Sequence, residues 1–97
     1  MTYQDVLRMH QNKEIIIVDV RTKEEYESGH IKGAVHCNLE TLSKEAPKVL
    51  KDKHATYFVH CQSGYRSTQA KMQLEMMGYK KVENLGGIIS WPYDLEY

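Results

Sequence analysis

Thr56-Tyr57-Phe58-Val59-His60-Cys61-Gln62-Ser63-Gly64-Tyr65-Arg66-Ser67 is the stretch that decides the fold. Its first five residues form a short apolar run that reads as a strand. Cys61 to Arg66 make a tight loop containing Gly64, and a helical pattern starts at Ser67. A thiol at that turn lies beside a helix N-terminus and free loop N–H groups, both of which favour negative charge. Such surroundings lower a cysteine pKa and make the thiol a nucleophile. The competing reading of Cys61 is a buried structural cysteine.

Upstream, Ile15-Ile16-Ile17-Val18-Asp19-Val20 is a continuous β-branched run, the pattern of a strand covered on both faces. Before it, Thr2 can cap a short helix that turns Val6, Leu7 and Met9 inward. Thr22-Lys23-Glu24-Glu25 matches a capping box, so a helix is expected there, ending near Gly29. Ala34 to Cys37 reads as a short strand. Leu42, Ala46, Val49 and Leu50 recur at helical spacing, and Pro47 predicts two short pieces or a helix beginning at the proline.

Downstream, Ala70, Leu74 and Met77 form the apolar stripe of a helix that Gly78 ends. Lys81 to Leu85 is a last strand candidate, Gly86-Gly87 a turn, and Ile88, Ile89 and Trp91 a closing apolar cluster. Strands alternating with helices imply an α/β fold with a mostly parallel sheet. Ligands of open α/β sheets sit outside the carboxyl ends of the strands, where Cys61 lies.

The 97 residues suit one domain, 1–97, with a thin core. Thirteen basic and thirteen acidic residues give a net charge of +0, which argues against a nucleic-acid partner. No apolar run approaches membrane-spanning length, and the first five residues lack the pattern of a signal peptide. Two unevenly placed cysteines suggest no disulfide framework, so a reducing cytoplasm is the expected setting. Balanced charge favours a monomer.

The chain resembles the rhodanese-like family, the single-domain sulfurtransferases. The resemblance rests on Asp19-Val20-Arg21 followed by Glu24-Glu25-Tyr26, and on Gly29-His30-Ile31-Lys32-Gly33-Ala34. It continues through Cys61-Gln62-Ser63-Gly64-Tyr65-Arg66-Ser67 to Gly86-Gly87-Ile88 with Trp91. It implies a roughly five-stranded, mostly parallel sheet flanked by helices, with the catalytic loop beside a shallow pocket. It further implies that Cys61 takes sulfur from a donor such as thiosulfate, becomes a persulfide, and yields the sulfur to cyanide or a thiol. A protein sulfur acceptor is the alternative destination, and no cofactor is called for. Lys23 and Lys32 replace frequent prolines, Gln62 a frequent basic residue, Tyr65 a smaller residue and Cys37 an aliphatic one.

Backbone N–H groups from Gln62 to Ser67 are the expected donors to an anionic sulfur, and Gly64 permits the turn that aims them. The Ser63 hydroxyl adds a donor or bonds its own backbone. Arg66 either holds the anion or braces the loop against Asp19 or Glu25; the resemblance favours bracing, which suits a planar guanidinium. Asp19 and Arg21 stand at a strand end as supporting residues that face the pocket. The other reading has Asp19 accepting backbone hydrogen bonds and Arg21 solvated.

Cysteine phosphatases of the cell-division-cycle type are the rival, but their loop has five residues between Cys and Arg. Here there are four, Gln62 to Tyr65, and no evident general acid. His36-Cys37 and His60-Cys61 are zinc-ligand types, yet strand neighbours point to opposite faces, so no metal is expected. A purely binding module is disfavoured by the intact Cys61 loop. Cys37 reads as a buried, inert thiol rather than a relay.

Overall fold

The computed structural model describes residues 2–97. Thr2 caps α1 (Tyr3–Gln11), its hydroxyl accepting the Asp5 N–H at 3.1 Å while Asp5 accepts the Thr2 N–H. Then follow β1 (Ile16–Asp19), α2 (Lys23–Glu27), β2 (His30–Ile31) and β3 (Val35–His36). A 3-10 turn (Leu39–Thr41) leads into α3 (Leu42–Val49) and β4 (Thr56–Cys61). α4 (Tyr65–Met76), β5 (Lys81–Gly87), a second 3-10 turn (Ile88–Ser90) and β6 (Leu95–Glu96) complete the order.

The sheet order is β3-β1-β4-β5, all parallel. The α/β architecture is therefore as the sequence implies, but with four strands in the sheet rather than roughly five. β2 and β6 pair antiparallel with each other instead, His30 opposite Glu96 and Ile31 opposite Leu95. Two-residue strands show no alternation, so a sequence pattern cannot announce them.

The central strands are covered on both faces. Val18, Tyr57 and Val59 join Leu42, Ala46, Ala70 and Leu74 in one core. Ile17 and Phe58 join Val6, Ile31 and Trp91 in the other. That division is the period-two alternation of a strand packed on two sides.

Several strands shift by a residue at their ends, and three larger differences from the sequence expectation stand out. Helix α3 breaks at Thr41–Leu42, not at Pro47, which sits inside it. Pro47 and Ser43 both lie on the solvent side, and Pro47 has no N–H to give the Ser43 carbonyl. α4 starts at Tyr65, two residues early, because Gly64 at φ +100° forms its N-cap. Gly86-Gly87 is not a separate turn. β5 runs through both with a bulge, Asn84 facing Val59 and Gly86 facing His60, so Leu85 is passed over.

Candidate active site

β1 and β4 are the central strands, and their carboxyl ends bring Asp19 and Cys61 to one edge of the molecule. Cys61 ends β4 and is 1% exposed. Its Sγ accepts the Gly64 N–H at 3.0 Å and the Ser67 N–H at 3.3 Å, with Ser67 Oγ 3.6 Å away. Burial pushes this thiol up, but the Ser67 hydroxyl and the N–H groups of Ser67, Gly64 and Ser63 outweigh it. The pKa is lowered overall. A ring of backbone donors at a helix start is an anion cradle, and here it surrounds the protein's own sulfur.

Glycine makes the cradle possible at two points. Gly64 adopts φ +100°, a left-handed conformation that side chains disfavour. Gly87 meets the loop from below: a Cβ there would lie 2.5 Å from the Gln62 carbonyl oxygen and 2.7 Å from Ser63 Cα. The Ile89 N–H also binds the Gln62 carbonyl at 3.3 Å. Thus β5 supports the loop that β4 and α4 suspend.

Arg66 braces rather than reaching for an anion. Its two Nη groups donate to the two carboxylate oxygens of Glu25, at 2.6 and 2.8 Å. Arg66 hydrogen bonding holds the Glu25 carboxyl down at about 2, against the opposing effect of burial. Of the two candidate carboxylates, Glu25 is the partner and Asp19 is not. Asp19 is fully buried and accepts from Arg21 Nε, Nη2 and backbone N–H at 2.7–3.1 Å.

Arg21 is 3% exposed, so the solvated reading fails. Its Nη2 donates to the Gly29 carbonyl at 2.7 Å and its Nη1 approaches Gln62 Oε1 at 3.4 Å. Asp19 and Arg21 therefore form a buried frame beneath the loop. Gln62, Ser63 and Tyr65 are exposed around it. Ser63 contributes its N–H to the sulfur.

The histidines hold structure. His30 donates through Nδ1 to the Tyr26 carbonyl at 2.8 Å and stacks on the Tyr26 ring. His36 donates to the Arg21 carbonyl at 2.8 Å. His60 is fully buried, and burial lowers its pKa despite the opposing pull of Asp19. Cys37 is also 1% exposed and lies in the apolar core. Burial, then the Glu45 charge, push its thiol up to about 11.

Two residues that complete the site, Asn84 and Thr68, escaped the sequence reading, and Gly87 was read as a turn and in the family resemblance but not as a support for the loop. Asn84 Oδ1 lies 2.7 Å from Ser67 Oγ, and Asn84 Nδ2 donates to Thr68 Oγ1 at 3.0 Å. An Asn inside a strand pattern was the available signal, since strands disfavour it.

Residues 2–92 match the Rhodanese-like domain family. The chain belongs to that family. This rhodanese-like domain is 39% identical over 71 residues to the thiosulfate sulfurtransferase PspE of Escherichia coli (strain K12), covering 73% of this chain and 68% of that protein. It is 34% identical over 85 residues to the putative sulfur carrier protein YrkF of Bacillus subtilis (strain 168), covering 87% of this chain and 45% of that one. A solved rhodanese with anions from Escherichia coli superposes with a TM-score of 0.77 at 34% identity, covering 84% of this chain and 95% of that one. Rhodanese-type sulfur transfer is the reaction class that these relatives support.

Proposed function

We infer that this rhodanese-like domain is a sulfurtransferase that carries sulfane sulfur on Cys61. The observation that carries the reading is the set of donors around the Cys61 sulfur, at 3.0 and 3.3 Å from Gly64 and Ser67. The Cys61 thiolate attacks the outer sulfur of a donor such as thiosulfate. A sulfur–sulfur bond forms to Cys61, and the donor's own bond breaks as sulfite departs with the electron pair. Cyanide or a thiol then attacks the outer sulfur and frees the Cys61 thiolate. The donors around Cys61 lower its pKa and so favour the attacking thiolate, and covalent storage splits the transfer into two steps. The donors that favour the thiolate also suit the anionic end of the persulfide.

Tyr65 and Ile89, 76% and 73% exposed, flank the loop and favour a second form of the acceptor. A protein thiol would cover these side chains as it reached the sulfur, whereas cyanide would leave them in water. Phosphatase chemistry fits poorly, because both Nη groups of Arg66 are engaged by Glu25 rather than open to a phosphoryl group. The free thiols of Cys61 and Cys37 suit a reducing compartment such as the cytoplasm, with the protein acting as a monomer.

The test is intact mass spectrometry after treatment with thiosulfate. Wild type gains one sulfur atom and loses it to cyanide, while Cys61→Ser gains none. A folded wild type that gains no sulfur, or a Cys61→Ser variant that still gains it, overturns the reading.

A further inference from the structure

The Ser67 hydroxyl stands between Cys61 and Asn84. It has one proton to give and four acceptors near it. Asn84 Oδ1 lies at 2.7 Å, the Gly64 carbonyl at 3.0 Å, the Gly86 carbonyl at 3.5 Å and Cys61 Sγ at 3.6 Å. Ser67 is fully buried in α4, so its oxygen is held in place and its proton alone is free to turn.

The orientation of Asn84 is fixed from two sides. Its Oδ1 accepts the Gly86 N–H at 2.9 Å, a donor that cannot reverse. Its Nδ2 donates to Thr68 Oγ1, and the Thr68 hydroxyl donates to the Gly64 carbonyl at 2.9 Å. The amide oxygen therefore always points at Ser67. While Cys61 is a thiol, its S–H can donate to Ser67 Oγ and the Ser67 O–H to Asn84. When Cys61 loses its proton to solvent, the Ser67 O–H can turn from the amide to the charged sulfur. Asn84 Oδ1 keeps the Gly86 N–H, so the amide oxygen stays partnered after that turn.

We propose that Asn84 is a positioning residue for the sulfur chemistry: it holds the Ser67 hydroxyl proton while Cys61 is a thiol and yields it when Cys61 becomes charged. Asn84 thereby competes with the sulfur for that proton. This assignment deepens the Cys61 reading and rests on it. The charged and titratable groups around the sulfur are Arg66 with its Glu25 partner, the Asp19–Arg21 pair and His60, and the variants below keep them all.

The test is the pH profile of Cys61 alkylation by iodoacetamide, read by mass spectrometry on folded protein. Ser67→Ala raises the midpoint, because the sulfur loses a donor. Asn84→Leu removes the nearest competitor, leaving the Gly64 carbonyl at 3.0 Å as the next acceptor, and lowers the midpoint by up to about half a pH unit, the scale of one modest hydrogen bond. Added to Ser67→Ala, Asn84→Leu shifts nothing. A midpoint that stays or rises in Asn84→Leu, or an equal shift without Ser67, overturns the proposal. Should Asn84→Leu fail to fold, Asn84→Asp keeps the shape and strengthens the competitor. It raises the midpoint more with Ser67 present than absent, and an equal rise overturns the assignment. Alkylation reads ionisation alone, so a protein that behaves this way yet takes up no sulfur overturns the transfer reading instead.

Discussion

Cys61 and Cys37 are equally hidden, each 1% exposed, yet their thiols are driven in opposite directions. Cys37 sits among apolar side chains, and burial with the Glu45 charge takes it up to about 11. Cys61 is also penalised by burial, but Ser67, Gly64 and Ser63 aim hydrogen-bond donors at it and bring it down. Burial alone therefore does not decide whether a thiol is inert. In a low-dielectric site, donors that point at the charge act more strongly than they would in water.

The sharpest way to break this contrast is to disturb the donors while leaving the burial. Gly87→Ala places a methyl group 2.5 Å from the Gln62 carbonyl oxygen, against backbone that must shift. Displacement of reacting groups by about 1 Å costs on the order of 100-fold in rate, and a loss of that size is expected in sulfur loading. Circular dichroism should show the fold retained. A Gly87→Ala protein that loads at the wild-type rate would detach the cradle from the chemistry.

The converse change is Cys37→Ser. A hydroxyl in that apolar core is expected to lower stability by about 1–3 kcal/mol, read as a shifted urea midpoint. Sulfur loading should persist, because burial holds the Cys37 thiol up at about 11. Equal loss of loading in Cys37→Ser and Cys61→Ser would end the inert assignment of Cys37.

The smallest effect belongs to the brace. Glu25 carries a depressed pKa of about 2 against an ordinary 4.5, so its stabilisation is full above about pH 4.5 and is lost as the pH falls toward about 2. The pair is one-third exposed, and solvent screening leaves it about 1 kcal/mol. Glu25→Gln should remove that amount at neutral pH and flatten the stability profile across the acid window. A profile as steep as wild type would mean that Glu25 does not set it.

Much of this was legible in the chain. Ile15 to Val20 and Thr56 to Cys61 announced the central strands by unbroken β-branched and aromatic runs. Thr2 as a cap and the capping box at Thr22 announced the starts of α1 and α2. Cys61 was legible because one short segment holds strand, loop and helix start. What escaped depends on contacts distant in sequence. Gly87 matters because Gln62 lies over it, and Asn84 because Ser67 does. Arg66 had two candidate carboxylates, and the choice of Glu25 follows from the fold bringing Glu25 of α2 to Arg66 of α4, which no local pattern encodes. β2 and β6 are too short for periodicity and depend on each other.

One measurement tests the contrast most directly: the pH dependence of alkylation at each cysteine, resolved by mass spectrometry in the native protein. At about 11, Cys37 is ionised in roughly one molecule in ten thousand at neutral pH. The account predicts a Cys61 midpoint below that of an ordinary thiol, with Cys37 unmodified until the protein unfolds. A Cys61 midpoint at or above the ordinary value, or modification of Cys37 at a matching rate, would contradict it.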